Sequence, residues 1–316
     1  MEHSNVLIVG GGCAGITVAS RINSLKSDLS ISIIEPSEKS LYQAAWTLVG
    51  AGAYDVGNTI KPMSEVMPSY VKWIKEHAEE FMPDSNSVKT NSNTYTYDYL
   101  VVCPGLKLNF DGVAGLKESL GKNNVCTNYS AEMATYTWEC LKNLDGGTLL
   151  FTEPPMPIKC AGAPQKIAYL AADHLKKKGK LNDSHLEFLC AKPVIFGVPH
   201  FQGPLNEICD SYGIQRSFQH NLISIDGQAK EAVFKQSDKD GNSKEVTKKF
   251  DFIHVTPPQT SPDFIKNSPL ADAGGWVDVD HKVGTLRHTK YENVYSLGDV
   301  MNAPNAKTGA AVRKQA

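Results

Sequence analysis

"NVLIVGGGCAGITVASRINSL", residues 5–25, decides how this chain folds. Val6–Val9 is a continuous apolar run, the pattern of a strand buried on both faces. Ala14, Val18 and Ile22 then recur at helical spacing, so the segment reads as strand, tight turn, helix. At the turn stand Gly10, Gly12 and Gly15, spaced G-x-G-x-x-G. Gly10 permits the tight turn, Gly12 lets a pyrophosphate approach the backbone, and Gly15 lets helix and strand pack closely. The amides of Cys13, Ala14 and Gly15 then face phosphate oxygens, with the positive end of the helix behind them. "SISIIEP" (30–36) supplies the next strand and completes a βαβ unit of about 30 residues. It leads into Glu35, twenty residues beyond Gly15, where a carboxylate accepts hydrogen bonds from an adenosine ribose. The opening predicts a dinucleotide site.

Outward from this unit, "VKWIKE", "SVKT" and "YTYDYLVVCPG" read as further strands. A second alternation begins near Tyr129. "SAEMATYTWECLKNL" reads as a helix, "GTLLF" as a strand, "IAYLAADHLKKKGK" as a helix and "HLEFLCAK" as a strand. "DKDGNSKEVTKK" (238–249) is a polar hairpin, and "KFDFIHVTPP" and "ENVYSLGDV" are late strands. The prediction is an α/β protein of two Rossmann-like, doubly wound domains. Residues 1–127 and 286–316 form the first, and residues 128–285 the second.

Composition narrows the function. A 316-residue chain with 41% hydrophobic and 21% charged residues is an ordinary globular one, and a net charge of −2 gives no reason to expect nucleic acid. No apolar run approaches the ~18 residues of a spanning helix. The first strand begins within a few residues of Met1, which predicts no leader and folding in the cytoplasm. Seven cysteines without CxxC pairs or His/Cys ligand spacing predict neither a metal site nor a disulfide framework. Cys13, Cys103, Cys140 and Cys190 lie in apolar periodic runs and are expected to be small buried hydrophobes.

Two distant stretches indicate which dinucleotide is bound. "NVYSLGDVMNAP" (293–304), a short strand running into Gly-Asp, resembles the second fingerprint of the FAD-dependent disulfide-reductase superfamily. In that superfamily the aspartate, here Asp299, meets the flavin's ribityl chain. "YDYLVVCPG" resembles its middle motif, with Pro104 and Gly105 marking the crossover between domains. The resemblance implies FAD.

Such enzymes usually carry a second glycine triplet for a nicotinamide nucleotide. The corresponding turn here is "FTEPPMPIKCAGAPQK" (151–166). Its three leading prolines donate no amide hydrogen bond, and a cysteine follows them. Pro164 suits the first turn of a helix, which puts Cys160 just ahead of a helix amino terminus. That position, with Lys159 and Lys166 nearby, favours a thiolate.

"KCAGAPQKIAYL", "LYQAAWTLVGAG", "TNYSAEMATYTWE", "HVTPPQTSPDF" and "GWVDVD" together resemble the sulfide:quinone oxidoreductases. The resemblance implies a peripheral membrane flavoprotein. It oxidises hydrogen sulfide to persulfide or polysulfide and passes two electrons through FAD to a quinone, with glutathione or sulfite as a small sulfur acceptor. Cys160 matches one of the family's two redox cysteines. Glu35 matches the ribose-binding acid, Gln43 a residue near the flavin, and Ala78 a position whose backbone meets the adenine. Asp299 and the segment Lys307–Ala311, which includes Gly309, match flavin and pyrophosphate contacts, and Gly105 belongs to the same set. The family's second redox cysteine lies downstream of "KTGAAV", and this chain ends at Ala316, in mid-helix, so a missing carboxyl-terminal part is expected. Cys126, in the polar context "NVCTNYS", is expected to be exposed, as an ordinary loop cysteine or as an alternative partner for Cys160. An NADH:quinone reductase of the same fold and a non-catalytic flavoprotein are the other readings. The implied location is the cytoplasmic face of a bacterial membrane or the mitochondrial inner membrane.

Overall fold

The computed structural model describes residues 1–316 and divides them into two compact units. The first gathers Met1–Leu41, Ile60–Lys107 and Thr260–Ala316; the second gathers Tyr42–Thr59 and Leu108–Gln259. These boundaries differ from those read off the sequence. Residues 42–59 and 108–127 group with the second unit, and residues 260–285 with the first. Long-range packing is the reason. Trp46 and Val49 bury against Ala134, while Ile265, Leu270, Val277 and Val279 join the core around Leu7 and Val9.

In the first unit a seven-stranded sheet runs in the order Val71–Ile74, Ile31–Ile34, Glu2–Val9, Thr94–Val102, Ser87–Thr90, Ala78–Met82. Thr94–Val102 is long enough to hold two partners on one side. Its start pairs antiparallel with Ser87–Lys89, and its end pairs parallel with Val294–Ser296. The unbroken apolar run at residues 6–9 is explained by two cores: Leu7 and Val9 pack with Leu100 and Val102, and Val6 and Ile8 with Ile31, Ile33 and Val101. The helix Cys13–Leu25 follows directly and buries Ala14, Gly15, Val18 and Ala19. The glycine turn therefore stands at the carboxyl end of a central parallel strand, where such sheets bind ligands.

The second unit has a five-stranded parallel sheet in the order Val125–Cys126, Phe252–His254, Gly147–Glu153, Ser184–Cys190, Gln215–Phe218. Phe151, Phe188 and Phe252 fill one face of it and Leu150, Leu189 and Ile253 the other. Helix Ala131–Asn143 starts at Ser130, whose hydroxyl accepts from the Met133 amide at 3.2 Å. Helix Ala163–Lys177 ends on Lys176 and Lys177, the charge its dipole favours. The polar hairpin at 238–249 is one edge of a three-stranded antiparallel sheet, His220–Asp226, Glu231–Ser237 and Ser243–Lys249. A further helix, Pro199–Ser211, contains Gly203 and Pro204, which disguise it in the sequence. No helix is long and apolar enough to cross a membrane.

Candidate active site

Each glycine of the first turn has a measurable reason in this structure. Gly10 takes φ +105°, and a Cβ there would stand 2.5 Å from the Cys103 carbonyl oxygen. Gly15 is tighter still, with its missing Cβ 2.0 Å from the carbonyl oxygen of Gly10. Gly12 is the opposite case: nothing lies within 4 Å of where its Cβ would be. The helix behind it opens at Cys13 with no side-chain cap. Its first-turn amides therefore face open space and are available to an anion.

Glu35 is anchored at the same loop. Its Oε2 accepts from the Gly11 amide and its Oε1 from the Ser37 amide, both at 2.8 Å. Trp73 Nε1 donates to the Glu35 carbonyl at 2.8 Å. Gly11 was not among the sequence candidates, yet a Cβ on it would meet the Glu35 Cβ at 2.7 Å. The unbroken run Gly10–Gly12 is its signal. Gly298, at φ +79°, lies against the first turn of the same helix, its missing Cβ 3.3 Å from the Ala14 Cβ, and carries Asp299 there. Gly105, at φ +77°, follows the Cys103–Pro104 backbone that packs on Gly10. Ala78 opens an outer strand and is half-buried; Gly309 is exposed at the start of the helix Gly309–Gln315. Uncapped amides, open space over Gly12 and a fixed acid fit the ADP half of FAD.

Lys307 is buried among these residues. Its Nζ donates to the carbonyls of Asp299 at 2.6 Å and Met301 at 3.0 Å, and sits 4.5 Å from the centre of the Trp276 ring. Burial pushes this ammonium from 10.5 down to about 8, partly offset by the charge of Asp299. Between those two values the unfolded chain holds more protons than the folded one, so this residue's contribution to stability rises with pH across that window. The rise is up to about 3 kcal/mol. Lys307→Met is expected to flatten the pH 8 to 10 part of the thermal-stability profile of the flavin-free chain; an unchanged slope would contradict the assignment.

In the second unit, residues 154–162 join the strand Gly147–Glu153 to the helix Ala163–Lys177. Pro164 lies in the first turn of that helix, and no side chain caps its start. Cys160 is half-buried with φ +86°, a conformation that costs a non-glycine residue about 1–3 kcal/mol and clusters at functional sites. The loop is held on both sides of it. The Cys160 carbonyl accepts from the Ala163 amide, and the Lys159 amide donates to Gln259 Oε1, both at 2.7 Å. Lys159 Nζ donates to Gln43 Oε1 and lies 5.8 Å from the Trp46 ring centre and 5.5 Å from that of Tyr129. Gln43 thus joins the surroundings of Cys160 through Lys159.

Burial holds the Tyr129 phenol well above its usual range, with Thr256 opposing the shift and Cys160 adding to it. Tyr129 is therefore a neutral hydroxyl beside the thiol. Deeper in the unit, Glu153 is fully buried and pairs with Lys192; burial raises its carboxyl and the ammonium opposes that. Neither the ion pair nor the tyrosine carries a sequence signal, because the partners lie 39 residues apart and meet only in the folded sheet.

Two cysteines depart from expectation. Cys126 is not exposed: its accessibility is 0%, because it lies on a strand paired with Phe252–His254 and its carbonyl accepts from the Val255 amide at 2.8 Å. Cys13 is not buried; as the first residue of its helix it is exposed at the open loop. All seven cysteines are free thiols. Burial pushes those of Cys103 and Cys190 up, the latter to about 12, which leaves them inert core residues.

Residues 4–137 match the family model described as pyridine nucleotide-disulphide oxidoreductase. The chain is 40% identical over 315 residues to the mitochondrial sulfide:quinone oxidoreductase of Mus musculus and 44% identical over 317 residues to that of Dictyostelium discoideum. Each alignment covers 99% of this chain and 69% of the relative. The X-ray structure of the sulfide:quinone oxidoreductase from the hyperthermophilic bacterium Aquifex aeolicus superposes with a TM-score of 0.82 at 23% identity, over 100% of this chain and 74% of that one.

Proposed function

The chain belongs to the sulfide:quinone oxidoreductase family, and from that premise we propose that Cys160 is the thiol at which sulfide is oxidised by an FAD enzyme with a quinone as electron acceptor. The observation that carries the reading is the turn itself. Where a nicotinamide-binding enzyme offers a row of amides, this chain has Pro154, Pro155 and Pro157, followed by a strained, partly accessible cysteine. Sulfide attacks Cys160 while it is joined in a disulfide to the family's second redox cysteine; the S–S bond breaks, leaving a persulfide on one cysteine and a thiolate on the other, and Tyr129 offers a neutral hydroxyl beside Cys160. FAD, when bound, supplies the two-electron couple between sulfur and quinone.

Gly10, Gly12, Cys13, Ala14 and Gly15 would hold the pyrophosphate of FAD through their backbone and Glu35 its ribose, while Gly105, Ala78, Asp299, Lys307 and Gly309 would supply the remaining cofactor contacts. Gln43 orients Lys159. The oxidised sulfur leaves as persulfide or polysulfide to a small acceptor such as glutathione or sulfite. The enzyme sits peripherally on a quinone-bearing membrane, at the cytoplasmic face in a bacterium or on the inner membrane of a mitochondrion.

The test is an anaerobic titration of the flavin-loaded protein. Sulfide is expected to bleach the visible flavin absorbance, and NADH to leave it unchanged. Rapid bleaching by NADH with sulfide inert would overturn the reading in favour of an NADH:quinone reductase.

A further inference from the structure

Three polar groups at the carboxyl edge of the second unit's parallel sheet are buried without a partner. The phenol oxygen of Tyr129, the hydroxyl oxygen of Thr256 and the amide nitrogen of Gln259 make no hydrogen bond. Their residues are only 6%, 2% and 9% exposed. Polar atoms withdrawn from water in this way are unfavourable unless something else bonds them, so a cluster of three calls for a ligand.

Strand register brings the three together. Val125–Cys126, Phe252–His254 and Gly147–Glu153 are neighbouring parallel strands, with Cys126 opposite His254 and His254 opposite Phe151. Tyr129, Thr256 and the loop that carries Cys160 therefore leave the sheet at one edge. Cross-links fix that edge. The Val255 amide donates to the Cys126 carbonyl at 2.8 Å, the Asn128 amide to His254 Nε2 at 3.0 Å, and the Thr256 amide to Thr152 Oγ1 at 3.3 Å. Gln259 reaches the Cys160 loop directly, since its Oε1 accepts from the Lys159 amide at 2.7 Å. Lys159 Nζ lies 5.5 Å from the centre of the Tyr129 ring, so the lysine ties both side chains to the residue before the thiol.

The chemistry of the set favours an anion. With Oε1 committed to an N–H donor, the other end of the Gln259 amide can only donate. The hydroxyls of Tyr129 and Thr256 can each donate as well. Burial keeps the phenol protonated, with Thr256 opposing that shift and Cys160 adding to it. The buried acid at this edge, Glu153, is matched by the ammonium of Lys192. Donor hydrogens thus collect beside a thiol.

Building on the role given to Cys160, we propose that the Tyr129 hydroxyl, the Thr256 hydroxyl and the Gln259 amide form a subsite that binds the hydrosulfide anion before it attacks. Each donates one hydrogen bond to the sulfur, which holds it beside Cys160. No covalent bond changes in this step.

Tyr129→Phe and Thr256→Val test the subsite, because each deletes a hydroxyl and keeps the shape of the side chain. Gln259 is left intact, since its Oε1 also holds the loop. Sodium sulfide is titrated anaerobically into the flavin-loaded full-length protein while flavin bleaching is followed. Each variant is expected to need about tenfold more sulfide for the half-maximal bleaching rate, the scale of one lost hydrogen bond to an anion. Urea unfolding of the same samples without sulfide is expected to give a midpoint equal to or above that of wild type, because the deleted hydroxyl had no partner to lose. A hydroxyl that serves the fold alone gives the reverse pattern. The proposal is overturned if the sulfide requirement of either variant is unchanged, or if either midpoint falls. Failure of the underlying reading looks different: sulfide then leaves the flavin of the wild-type protein unbleached.

Discussion

Cys160→Ser retains its flavin and loses sulfide-dependent quinone reduction by at least about a thousandfold, the scale on which removal of an attacking nucleophile is felt. The substitution is a clean one for this position. Serine carries the same Cβ, so the strain at φ +86° is the same before and after, and the loop contacts through Ala163 and Gln259 are made by backbone atoms of residues 159, 160 and 163. What changes is the atom that can bond sulfur: a polarisable thiol becomes a hydroxyl that neither ionises at neutral pH nor forms an S–S bond. Steady-state rates with saturating quinone, beside the flavin-to-protein ratio, check it. A variant that keeps its flavin and works within tenfold of wild type would remove Cys160 from the chemistry.

Gly15→Val and Gly12→Ala are expected to separate folding from cofactor binding at a single loop. A side chain at Gly15 would start 2.0 Å from the Gly10 carbonyl oxygen and 3.2 Å from Ile8 Cγ2. The first of these is backbone and cannot swing away, so the strand and helix must part. Destabilisation of about 3 kcal/mol or more follows, at the upper end of overpacking in a core, and the chain is recovered without flavin. At Gly12 the added methyl meets nothing within 4 Å. Gly12→Ala should keep the apoprotein's denaturation midpoint within about 0.5 kcal/mol of wild type. It should still bind FAD more weakly, because the methyl occupies the approach to the uncapped amides. Flavin titration alongside urea unfolding reads both quantities; normal FAD affinity in Gly12→Ala would show that the phosphates lie elsewhere.

The first unit's strand, glycine turn and helix were legible in the sequence because their constraints are local. Gly10, Gly12, Gly15 and Glu35 lie within one βαβ unit, and backbone sterics dictate glycine wherever another main chain comes close. The Cys160 turn was legible for a related reason, since proline and cysteine there stand out against the residues a phosphate loop requires. What escaped is long-range. Cys126 looks solvent-exposed in "NVCTNYS" and is sealed in by the strand Phe252–His254, more than 120 residues later. Cys13 looks like a core residue by its neighbours, yet it is the first helical residue of an open loop. Residues 42–59 carry no mark of the second unit until Trp46 is seen beside Ala134. The ion pair of Glu153 with Lys192 is likewise a product of sheet order, which strand patterns do not encode.

The order in which the strands are synthesised has a cost of its own. Thr94–Val102 waits for Val294–Ser296 to cover its final residues. At a ribosomal pace of about 5–20 residues per second, the intervening stretch takes roughly 10–40 s to emerge. Throughout that interval the first unit carries an open edge at Leu100–Val102, the kind of edge that recruits a stray strand from another chain. Meanwhile Leu108–Gln259 has been completed. The nascent protein therefore matures from its middle outward, its glycine turn made first and its sheet finished last, and slow, cool expression with abundant chaperone is the condition that suits it.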